Sequence, residues 1–140
     1  MSTQARDLGA AALLGLGGGL RSFASPVAMA AHGLGPLAGS ARYIAYGAAV
    51  GEVIADKLPQ MPSRWSPRGL SLRLGFSSTG GHELDGWTGA AVAGAAALAS
   101  AYAGSHLRVL VRGREAQFAA AVFEDSLSYA LVFAAMRGRH

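Results

Sequence analysis

The chain contains no cysteine, so it forms neither disulfides nor thiolate metal sites, and nothing can be read about redox compartment. Charge is scarce too: 14% of residues are ionic, where an ordinary soluble domain has about 25%. Lys57 is the only lysine, and arginine supplies nearly all of the net charge of +4. Histidine is sparse, and His32, His82, His106 and His140 share no metal-ligand spacing. The H-E-L-D stretch at His82 lacks the second histidine that a zinc-binding helix needs. Ser77, Ser78 and Thr79 have no evident base partner, and the glycine runs lack the lysine of a phosphate-binding loop. With no metal set, no cofactor motif and no nucleophile to read, an enzyme is not expected. No stretch interleaves aromatic with basic residues, so the positive charge does not point to nucleic acid.

What the chain does have is alanine, glycine and aliphatic residues gathered into long runs, with arginine-bearing loops between them. The first run extends from Leu8 to Ala31 and meets Arg21 and Pro26 on the way. Its Ala28-Met29-Ala30 triplet looks like a signal-peptidase site, but Arg21 interrupts where an apolar leader should continue. The second run, Tyr43 to Leu58, stops at Pro59 and carries Glu52 and Asp56 in its last turns. A loop with Pro59, Pro62 and Pro67 follows, in which no regular helix is expected. Leu70 to Phe76 reads as a short interfacial helix, with Trp65 suited to headgroup depth, and Ser77 to Asp85 reads as a turn. Trp87 to Leu107 and Ala116 to Met136 are the third and fourth runs. The expectation is an all-α, polytopic membrane protein of about four short Gly/Ala-rich helices, the first of them broken. It would form one transmembrane domain over residues 1–140.

Small residues four apart, at Gly15 and Gly19, Gly47 and Gly51, and Ala90 and Gly94, are suited to close helix packing in lipid. With four crossings, one side collects Arg6, Lys57, Arg64, Arg68, Arg73, Arg137 and Arg139, and the other Arg42, Arg108, Arg112 and Arg114. Such a count places both termini in the cytoplasm of a bacterial inner membrane.

Charges inside apolar runs carry the chemistry. A charge at the centre of a bilayer costs at least about 2.5 kcal/mol, so Arg21, Glu52, Asp56, Glu124 and Asp125 must face protein or water and pair largely with one another. Arg21 is expected within reach of Glu52 or Glu124. A weak internal echo, G-G-G-L-R then G-E-V-I-A-D against A-G-S-H-L-R then F-E-D-S-L-S, suggests two related halves. The five residues read as the site of a channel or transporter for a small ion or polar solute. The competing reading is a structural or assembly protein in which they are locking salt bridges. Four thin helices enclose little interior, so a homo-oligomer in the lipid bilayer is expected in either case.

G-L-R-S-F-A-S-P from Gly19, E-V-I-A-D-K-L-P-Q-M-P-S-R-W-S-P from Glu52, Arg73 and F-E-D-S from Phe123 together resemble a bacterial integral membrane family, domain of unknown function 4126. The resemblance puts Arg21, Pro26, Glu52, Asp56, Lys57, Pro59, Ser63, Arg64, Glu124 and Asp125 on the family pattern. The chain departs from that pattern between Leu74 and Trp87. A multi-span membrane protein is implied, with no activity attached.

Overall fold

The computed structural model describes residues 2–56 and 66–138, and every regular element in them is helical. In order these are α1 (Thr3–Leu20), α2 (Ala24–Ala31), α3 (Arg42–Ala55), α4 (Pro67–Leu110) and α5 (Arg114–Met136), with two 3-10 turns between α2 and α3. Lys57, Pro59, Ser63, Arg64 and Trp65 lie outside the described residues.

The Ser2 hydroxyl caps α1 by accepting from the Ala5 N–H at 3.2 Å. At its far end Arg21 leaves the helix with φ −135° and ψ 123°, and the chain reverses. The Ser25 hydroxyl donates to the Leu14 carbonyl at 3.0 Å, whereas eleven residues along a straight helix would separate them by about 16 Å. The first apolar run therefore does not pass straight through the fold, as the four-crossing count assumed. It enters as α1 and returns beside itself as α2. Pro26 is accommodated in the first turn of α2, where backbone N–H groups have no intrahelical acceptor in any case.

Ser66 caps α4 by accepting from Gly69 at 3.2 Å. Only Asp85 and Gly86 depart from helical geometry inside α4, Gly86 with φ +57°. They fold α4 into two antiparallel limbs, 67–84 and 87–110. A Cβ on Gly81 would collide with the Gly89 carbonyl, and a Cβ on Gly89 with that of Gly81, so bare backbone is required on both sides of the hairpin. The stretch 77–85, expected as a turn, is thus helical up to its last residue. Its turn-forming residues are absorbed by packing and by back-bonding, as in Thr79, whose hydroxyl donates to the Gly75 carbonyl at 2.8 Å. Nor do residues 70–76 form a separate interfacial helix: they belong to the first limb, with Arg73 buried.

α1 is the central post. Gly15 rests against Ala93 and Gly19 against Ala97, in step, so the limb 87–110 runs parallel to α1. Gly18 faces Ser77 and Ser25, while Gly17 faces Ser128 and Val132 of α5, which runs antiparallel. The Ser128 hydroxyl donates to the Gly17 carbonyl at 2.7 Å. The Gly17–Gly19 triplet thus meets a serine from each limb of α4 and one from α5. Small side chains let the helices approach, and the Ser100 hydroxyl donates within its own helix to the Ala97 carbonyl at 3.2 Å. Below it Leu14, Ala28, Met29, Val132 and Met136 form the apolar core. Gly47 and Gly51, in contrast, face open space, so their spacing marks no contact within the chain.

Two ends result. At one lie Arg21, Asp56, the start of α4 and the α4–α5 turn; at the other lie Thr3, the 3-10 turns, the Asp85–Gly86 turn and the end of α5. The suggested two-fold repeat is not realised. α1 and the limb 87–110 are parallel, but the acidic helices α3 and α5 run in opposite directions. Among the described helices, Arg114–Met136 alone is both long and apolar enough to cross a membrane by length and composition.

Candidate functional site

The break after α1 sets the chemistry. Arg21 sits on it with 1% of its surface exposed. Its Nη1 lies 3.0 Å from Oδ2 of Asp56, and its Nε and Nη2 both contact Oδ1 of Asp125. Asp56 Oδ2 also accepts from Nη2 of Arg108 at 2.9 Å, and Arg108 Nε donates to Oε2 of Glu124 at 3.0 Å. The result is one alternating chain, Asp125, Arg21, Asp56, Arg108, Glu124, contributed by α5, the α1–α2 break, the end of α3 and the last turn of α4.

Glu52 plays a different part. Its two carboxylate oxygens accept the backbone N–H groups of Ser22 and Phe23 at 2.9 and 3.1 Å. These are donors that the break exposes at the head of α2. A carboxylate there satisfies them and complements the positive end of the α2 dipole.

All five residues singled out in the sequence therefore converge, but with other partners than expected. Arg21 pairs with Asp56 and Asp125 in place of Glu52 or Glu124. Glu124 and Asp125 are adjacent, about 100° apart around α5, so Asp125 meets the α1 break and Glu124 meets α4. Glu52 lies one turn before Asp56, level with the backbone of the break, and is taken up by it. Asp56 bridges two arginines. Sequence reasoning missed Arg108, which was counted only among the arginines that set topology. The Leu-Arg echo between Arg21 and Arg108 was the signal that could have found it.

On the far side of the pairs, a recess of about 760 Å³ is lined by Asp56, Arg108, Arg114, Glu115 and Phe118, so the network is reached from the end of the molecule that carries the α4–α5 turn. A second, almost wholly apolar groove of about 660 Å³ separates the limb 87–110 from α5, with Leu16 and Leu20 as its floor. Among the described residues no cluster of His, Asp and Glu is arranged to hold a metal.

Comparison with protein-family models, curated proteins and solved structures finds no match for this chain.

Proposed function

We propose that the chain is a multi-span membrane protein of the bacterial inner membrane that passes a small ion or polar solute, assembled as a homo-oligomer. The membrane reading is supported by polar side chains buried beside the apolar core and by large apolar ones on the surface. Arg21, Ser25, Ser77 and Ser128 are fully buried alongside Leu14, Val132 and Met136, while Ile44, Trp87, Val109 and Phe123 are each at least 68% exposed. In water such a surface would be an aggregation hazard; in lipid it is the ordinary solvent-facing side. α2 and α3, with 8 and 14 residues, are short for a crossing, and the glycines of α1 are what permits it to be enclosed.

The observation that carries transport is a helix broken at a buried charge network, with a recess leading to it from one end. Discontinuous helices with ionisable residues at the break are how transporters build sites within the bilayer. Ion pairs are also a poor device for stability, since a well-packed apolar substitute is often neutral or better. Retaining five charged groups among Gly/Ala helices therefore favours a use for them. The structural-lock reading has its own supporting observation, namely that each of Arg21, Glu52, Asp56, Arg108, Glu124 and Asp125 has a direct protein partner. A proteoliposome flux screen over protons, common ions and small polar solutes separates the two. The transport reading expects flux in the wild type and its loss in Asp125→Asn while the oligomer persists. Absence of flux for every solute, with loss of oligomer in the variant, moves the assignment to a lock.

A further inference from the structure

The fold regroups the arginines. Because α2 returns beside α1, Arg42 at the head of α3 lies at the same end as the N-terminus, Arg6 and Arg137. Because α4 is a hairpin, Arg68 at its start and Arg108 near its close lie together at the opposite end, with Arg112 and Arg114 on the α4–α5 turn. The contrast is sharpest between the two tight helix connections. The α4–α5 turn carries Arg108, Arg112 and Arg114 with Glu115, whereas the sequence has no Lys or Arg between Arg73 and Arg108, so the Asp85–Gly86 turn carries only Glu83 and Asp85.

From this we infer that the arginine-bearing end, with the α4–α5 turn, faces the anionic headgroups of the cytoplasmic leaflet, and that both termini face the outside. This rests on the membrane reading above. It reverses the orientation read from the sequence, which took the first apolar run as a single crossing and so put Arg42 opposite the termini. Short, arginine-rich connections are retained on the cytoplasmic side and drawn to anionic lipid there, while acidic residues contribute little to orientation. The mouth of the recess beside Asp56 and Arg108 would accordingly open toward the cytoplasm.

The absence of native cysteine makes the test direct. Gln4→Cys marks the terminal end and Ala116→Cys the arginine-bearing end; both positions are exposed and outside the ion-pair network. Spheroplasts expressing each variant are treated with a membrane-impermeant maleimide before and after lysis. Gln4→Cys should label fully in intact spheroplasts, and Ala116→Cys only after lysis. The reverse pattern, or labelling of both variants before lysis, overturns the inference and leaves the membrane reading intact. Recovery of either variant in the aqueous fraction without detergent would instead remove the membrane reading itself. Adding Arg112→Glu and Arg114→Glu to Gln4→Cys should lower its labelling in intact spheroplasts; unchanged labelling counts against the charge argument.

Discussion

Removing Arg21 should destabilise the protein more than removing either of its partners. In Arg21→Gln, Asp125 loses both guanidinium contacts, while Asp56 keeps Arg108 at 2.9 Å. One carboxylate is therefore stranded. Breaking a buried pair from one side costs about 3–5 kcal/mol. Asp125 retains 16% side-chain exposure, enough for partial hydration, so the lower bound of about 3 kcal/mol applies. In Asp125→Asn the arginine still holds Asp56 at 3.0 Å, and the loss is that of a charge-assisted hydrogen bond, about 1.5–3 kcal/mol. The double variant Arg21→Gln with Asp125→Asn removes the carboxylate that Arg21→Gln strands, leaves Asp56 on Arg108, and should be more stable than Arg21→Gln alone. Purified protein in detergent, followed by thermal melting and size-exclusion chromatography, reads all three. Asp125→Asn melting below Arg21→Gln, or a double variant no better than the arginine variant, would show that the network is not arranged as described.

Other expectations follow from the same packing. Glu52→Gln turns an amide NH₂ toward one of the two N–H groups at the head of α2, and should lower stability by about 1–3 kcal/mol on melting. Gly15→Ala drives a methyl into the Ala93 backbone and should cost about 1–3 kcal/mol or prevent folding. Gly51→Ala, on an open face, should be neutral or stabilising by up to about 1 kcal/mol; equal losses at the two glycines would refute the central position of α1. The wild-type chain should sediment with membranes and require detergent, and monodisperse protein in buffer alone would contradict the bilayer reading.

The helical class and the convergence of Arg21, Glu52, Asp56, Glu124 and Asp125 were legible in the sequence, because charges inside apolar runs have few places to go. Direction was not legible. Nothing local marks Arg21–Phe23 as a reversal, since the reversal is held by Ser25 on Leu14 and by Glu52 on the break, contacts that join residues eleven and about thirty positions apart. Residues 77–85 read as a turn because Ser, Thr and Gly favour turns locally, yet in a crowded helix pair the same small residues are what fits. Arg108 was overlooked for a related reason. Its basic neighbours suggest a surface hinge, and only the approach of α3 and α5 turns its side chain onto Asp56 and Glu124.

Flux through proteoliposomes containing Arg21→Gln with Asp125→Asn, set beside the wild type, tests the central claim most directly, because this variant is expected to recover stability while losing one complete ion pair from the break. The wild type should pass a small ion or polar solute and the folded double variant should pass none. A folded double variant with wild-type flux, or a wild type silent toward every solute tried, would contradict that claim.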